Sequence, residues 1–282
     1  IDKTAPTGVS LVPSGTLGNN GWYTSNVTIT TTGTEAVSGP LTCTGVQSLT
    51  TDTASATFNG SCTNLAGFTS NAAPLTLKRD ATNPTITFLN RTPANGNGWN
   101  NGDVTLNWSC TDAMSGPVDG TITQTATAEG ANQSSTATCF DNAGNSASDT
   151  QSGINIDKTA PGIVANRTPA ANANGWNNSD VTVTFTGNDG LSGLVSCTTP
   201  VVFSAEGAGQ SATGTCADNA GNSSSATVNN INIDKTAPTA AGTASPAPNS
   251  NGWNNTDVTV TFTGVDGLSG IDSCAANVLL NT

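Results

Sequence analysis

Cysteine and aspartate are the residue types that this sequence places at spacings able to do chemistry, one by oxidation and the other by holding a cation. The ruler is an Asn-Gly-Trp tripeptide, which puts tryptophans at 22, 99, 176 and 253, 77 residues apart each time. Forty residues past the first three stand Cys62, Cys139 and Cys216. Cys43, Cys197 and Cys274 lie 21 residues past their tryptophans, whereas Cys110 lies only 11 past Trp99. Pairing within each repeat, as Cys43–Cys62, Cys110–Cys139 and Cys197–Cys216, is the economical solution and leaves Cys274 without a partner in the sequence. Even counts at repeat spacing imply an oxidising compartment. Zinc is the alternative, but two thiols per repeat and no histidine make a poor tetrahedral site. A bond closing a loop of about 20 to 30 residues contributes roughly 3 kcal/mol from chain entropy.

Asp112 and Asp141 stand two residues past Cys110 and Cys139, and Asp189 and Asp218 hold those places one repeat later. Cys110 continues the inward-facing series Val104, Leu106 and Trp108. A bond to Cys139 therefore joins two strands across a core and brings both aspartates out at one pole. A linker, Ile-Asp-Lys-Thr-Ala-Pro at Ile1, Ile156 and Ile233 with a degraded copy at 79–84, enters beside that pole. Asp157, Asp189 and Asp218 are thus expected to converge, and so are Asp80, Asp112 and Asp141. Like charges brought together without a cation repel. The expected cofactor is Ca2+ at each junction, completed by carbonyls and water to about six to eight oxygens. Asp2 with Glu35 and Asn64 is a weaker set, and Asp234 with Asp266 lacks a third ligand. The alternative is that each aspartate only shapes an Asx turn beside Gly or Pro.

The elements that must position these residues are strands. Val181, Val183 and Phe185 alternate with Thr182, Thr184 and Thr186, and the pattern recurs at Val258, Val260 and Phe262. One apolar face and one threonine face mark a half-buried antiparallel strand. Gly, Asn and Pro clusters punctuate the chain at the rhythm of an all-β sandwich. In the third repeat, strands are expected after Pro161 and at 180–187, 194–197, 201–205, 210–217 and 224–233. A chain that enters at one pole and leaves at the other needs an odd number of passes. The domains are read as 1–78, 79–155, 156–232 and an incomplete 233–282, each with a core small enough to need a staple. Opening on a linker and closing inside a repeat, the chain is expected to be a fragment of something longer.

Asp-x-Thr-Ala-Pro between repeats, Asp-Gly-Leu-Ser-Gly after the first core strand and Asp-Asn-Ala-Gly-Asn after the later one resemble the Ig-like repeats of large bacterial surface proteins and adhesins. The resemblance spans the whole chain. It implies a linear array of Ig-like β-sandwiches in a secreted, rod-like stalk or fibre, often stiffened by calcium at domain junctions. The disulfides are a departure from many such repeats.

Composition narrows the function. Nineteen acids against seven bases give a formal net charge of −12, which disfavours nucleic acid. No run of about 18 apolar residues is present to span a membrane. With no histidine and three glutamates there is no Ser/His/Asp set and no paired glutamates, so no enzyme is expected. The periodic tryptophans are read as closing the ends of small cores rather than as sugar platforms. Asn107, on an outward strand face, is a candidate glycosylation site. The leading expectation is an extracellular or cell-surface stalk or fibre segment, whose partners are other domains or copies of the same surface protein. The alternatives are adhesin repeats that bind glycans or a protein partner directly, or accessory domains of a secreted hydrolase.

Overall fold

The threonine and valine alternation folds as the pleat requires. In a computed structural model, which describes residues 1–281, the strand Val181–Asn188 buries Val181 and Val183 completely and leaves Phe185 6% exposed. It pairs with Gly162–Thr168 on one side and Val201–Phe203 on the other, both antiparallel. A second antiparallel sheet holds Leu194–Cys197, Gly207–Asp218 and Ser223–Ile233. The two sheets share one apolar cluster: Val181, Val183 and Phe185 from the first, Ala212, Ile231 and Ile233 from the second. Each valine, isoleucine or phenylalanine among them contributes about 1.5–3 kcal/mol by burial. Gly214 lies against the Phe185 ring, where a Cβ would stand 2.4 Å from the ring's Cγ.

Six strands here make five passes. Gly214 faces Phe185 and Gly187 faces Cys216, so the strands Val181–Asn188 and Gly207–Asp218 run the same way. Val201–Phe203 and Leu194–Cys197, each antiparallel to one of them, therefore also share a direction. The chain changes sheet between them without turning back. One interrupted pass therefore serves both sheets, and the segment starts and finishes at opposite ends.

The preceding repeat has the same plan without the short strand at 194–197. Its first sheet is Thr85–Arg91, Val104–Thr111 and Thr121–Ala126, and its second is the hairpin Gly130–Phe140 with Ser146–Ile156. Trp108 fills the core against Phe88, edge to face at 5.6 Å, and donates from Nε1 to Asp149 at 2.7 Å. Hydrogen bonds from Trp108 and Gln151 hold the Asp149 carboxyl below its ordinary range. In the first repeat, Thr7–Ser14, Val27–Thr34 and Gln47–Leu49 form one sheet, while the opposing layer is broken into two short sheets. Among the described residues the last repeat has a single sheet of Thr239–Ser245, Val258–Val265 and Val278–Leu280. No core cluster forms there among the described residues, and Trp253 is 75% exposed where Trp22 is 8%. The chain divides into two compact bodies, Ile1–Ile156 and Asp157 onward, a coarser division than the four-domain reading of the repeats. No helix of the described residues is long and apolar enough to cross a membrane.

Three disulfides form, and they are of two kinds. Cys43–Cys62 and Cys197–Cys216 each link directly paired neighbours within one sheet, with Cα atoms 4.0 Å apart. Cys110–Cys139 instead joins the two layers of its repeat, Cα to Cα 5.8 Å. The exchange is reciprocal. Where the second repeat has Cys110, its neighbours have Gly33, Gly187 and Gly264; where they have Cys43, Cys197 and Cys274, it has Gly120. The glycine is needed, because a Cβ at Gly187 would lie 2.8 Å from Cys216 Sγ and 3.1 Å from Cys197 Sγ.

Candidate cation sites at the acidic poles

Two turn motifs build each pole. In Asp141-Asn142-Ala143-Gly144-Asn145, Asp141 accepts the backbone N–H groups of Gly144 at 2.7 Å and Asn145 at 2.8 Å, and Gly144 takes the positive φ of 103° that closes the turn. The Asn142 amide donates to the carbonyls of Ser115 and Gly116, both at 3.0 Å, tying this turn to the neighbouring loop. In that loop Asp112 Oδ2 accepts from the N–H groups of Met114, Ser115 and Gly116 at 2.9–3.0 Å. The linker joins through Asn145, whose Nδ2 donates to the Asp80 carbonyl at 3.1 Å and to Asp141 at 2.7 Å. Asp80 Oδ2 in turn accepts the Ser115 N–H at 3.0 Å. One repeat later the same bonds run through Asp157, Asp189, Ser192, Asn219, Asp218 and Asn222.

The result is two clusters of three carboxylates. One oxygen from each of Asp80, Asp112 and Asp141 lies within 4.8 Å of the others, and Asp157, Asp189 and Asp218 repeat the arrangement. Asp80, Asp141 and Asp157 are fully buried and Asp218 is 2% exposed. Backbone N–H groups satisfy part of each carboxylate, but three converging negative charges at close range repel unless a cation lies among them. Oxygen-only donors of this kind suit a hard divalent cation.

No protein-family profile matches the chain, and no curated protein matches it. Among solved structures, one described as "Structural insight into host cell surface retention of a 1.5-MDa bacterial ice-binding adhesin" aligns over 82% of this chain and 99% of its own. The identity is 15% and the TM-score 0.30.

The first pole solves the charge problem differently. Asn64 stands where the next two repeats have Asp141 and Asp218. Its Nδ2 donates to Asp2 Oδ2 at 3.0 Å, to Glu35 Oε2 at 2.9 Å and to the Thr4 carbonyl at 2.9 Å. A neutral amide therefore sits between the two carboxylates. Hydrogen bonds from Ser38 and Thr4 lower the Asp2 carboxyl, and the Asn64 amide lowers that of Glu35. Asn64→Asp should remove those donors and add a third charge. We expect the variant to melt lower than wild type in chelator and to bind one more divalent cation per chain, read by calorimetric titration. An unchanged stoichiometry would show that three carboxylates at this pole do not suffice.

At the last linker Asp234 Oδ2 accepts the Ser269 N–H at 2.9 Å, and Asp266 accepts those of Leu268 and Gly270. Hydrogen bonds from Ser269 hold the Asp234 carboxyl below its usual range. No third carboxylate joins this pair among the described residues. Cys274 is free and exposed, with its sulfur 3.4 Å from where a Cβ on Gly264 would stand. Asn107 lies on a sheet face with both amide atoms engaged: Nδ2 donates to Asn90 and Oδ1 accepts from Thr123. The tryptophans vary from buried Trp22, beneath the Lys78 ammonium at 4.9 Å, to exposed Trp253. Ser115, Ser192, Asn145 and Asn222 matter to the poles through bonds to the linker. Their signal in the sequence is their fixed place in the two repeated motifs.

Proposed function

We propose that this chain is a structural stalk or fibre segment of a bacterial extracellular surface protein, built from tandem Ig-like β-sandwiches and without catalytic activity. Ca2+ held by Asp80, Asp112 and Asp141, and by Asp157, Asp189 and Asp218, stiffens its joints. The observation that supports this reading is the composition of each triad: one carboxylate comes from the linker and two from the turns of the repeat that the linker enters. A cation bound there ties a linker to a rigid scaffold. The Asp80 N–H also donates to the Tyr23 carbonyl of the repeat before it, so the linker residue is anchored on both sides. Disulfides in each of the first three repeats fit an oxidising, extracellular setting. The partners are neighbouring domains or other copies of the same surface protein.

The test is thermal unfolding and small-angle scattering under oxidising conditions, with and without chelator. Calcium should raise the melting midpoint and lengthen the particle. Identical melting curves and identical maximum dimensions in the two solutions would exclude a calcium-stiffened rod.

A further inference from the structure

The linkers are gripped on a second side that owes nothing to the acidic triads. In the first body, Asp52 Oδ1 accepts the backbone N–H of Ala81 at 2.9 Å, and Asp52 Oδ2 accepts the Thr82 hydroxyl at 2.6 Å. In the second body, Glu206 Oε1 accepts the N–H of Lys235 at 2.6 Å and the Thr236 hydroxyl at 3.0 Å. Asp52 and Glu206 stand at the same place in their repeats, two periods of 77 residues apart, and so do the linker residues that they hold.

A cation completes each grip, although it comes from different chain positions. Lys235 reaches Asp180 and the Ser204 carbonyl with its ammonium. The corresponding linker position in the first body is Ala81, which carries no charge. There Arg79 supplies the cation from the residue before the linker aspartate. It bonds Asp52, the Asn26 side chain at 2.9 Å and the Ser25 carbonyl at 3.1 Å. Asn26 is the counterpart of Asp180 in the repeat. The source of the charge has moved while one acceptor place, Asn26 or Asp180, is common to both grips, much as the cysteine moved to 110. The Arg79 and Asp52 side chains are only 11% and 20% exposed. Arg79 makes several bonds from one planar fork, which holds better than an exposed pair.

We propose that Asp52 and Glu206 are metal-independent linker grips. Each fixes the linker to a loop of its own repeat, while the linker aspartate, Asp80 or Asp234, bonds the repeat that follows. Each of these two linkers is thereby held from both sides, and at the Asp80 linker the far side alone carries a carboxylate triad for a metal ion. Chelation there loosens the linker's hold on the next repeat and leaves its hold on the preceding one.

Trypsin reads this directly, because Arg79 and Lys235 are themselves its cleavage sites. The full oxidised chain is digested in chelator, and cleavage after each basic residue is followed by mass spectrometry. Asp52→Asn should speed cleavage after Arg79 about tenfold, the loss expected for hydrogen bonds to a charged group, and leave Lys235 unchanged. Glu206→Gln should do the reverse. No acceleration at the matching bond in either variant overturns the proposal. So does an equal acceleration after Arg167 in Glu206→Gln, or loss of the first repeat's melting transition in Asp52→Asn, either of which would mean that the substitution unfolds its whole repeat.

Discussion

With calcium saturating, Asp189→Asn is expected to lower the stability of its repeat by about 3 kcal/mol, the linkage stabilisation lost when a site filled at roughly one hundred times its Kd no longer binds. For a domain of this size that is on the order of 10–20 °C in the melting midpoint. In chelator the sign reverses. Asp189 takes its N–H bonds from Leu191 and Gly193 through Oδ1, and an asparagine oxygen can accept both. Its amide then replaces one of three converging charges, much as Asn64 does between Asp2 and Glu35. The variant should melt slightly above wild type in chelator and well below it in calcium, by calorimetry in both solutions. An equal loss in both would mean that Asp189 only shapes its turn.

The second large effect concerns the movable cysteine. Cys197→Gly should cost about 3 kcal/mol, the chain-entropy contribution of the lost bond. Gly187→Val in the otherwise intact chain should cost roughly 1–3 kcal/mol by overpacking, since a Cβ there meets both sulfurs of the Cys197–Cys216 bridge. Combining Gly187→Cys with Cys197→Gly should undo most of the damage, because a thiol at 187 occupies the place that Cys110 has in its own repeat. The new bond to Cys216 would run between layers, as Cys110–Cys139 does. Non-reducing peptide mapping and thermal melts check both points. Free thiols at 187 and 216 in the folded double variant would show that the second repeat's geometry is not transferable.

Both predictions start from features that could be read without coordinates. Cysteine pairing follows from the offsets to tryptophan, and strand faces follow from alternation: Val181, Val183 and Phe185 are all buried. Convergence of the aspartates was legible because Cys110 and Cys139 each stand two residues before one of them. The reciprocal glycine was also present in the sequence, since Gly33, Gly187 and Gly264 align with Cys110 at multiples of 77. Its meaning was not, because a missing Cβ matters only once a sulfur is seen above it.

Other features had no sequence signal of their own. The change of sheet between Cys197 and Val201 depends on which neighbour offers an unpaired edge, a property of the assembled layers. Asp52 and Glu206 recur at the repeat period, but their grip on a linker about 30 residues away is invisible along the chain, because the period does not say which groups a carboxylate reaches. Asn64 was readable as a weak ligand, whereas its place as a donor between two carboxylates required their positions. Local alternation and covalent spacing were enough to determine the strands, the staples and the acidic character of the poles. Which charges are balanced by an amide, which by a basic side chain and which are left for a cation is a matter of a few ångströms between distant residues. Only the tertiary structure decided that, because electrostatic and hydrogen-bond energies depend on separation in space rather than along the chain.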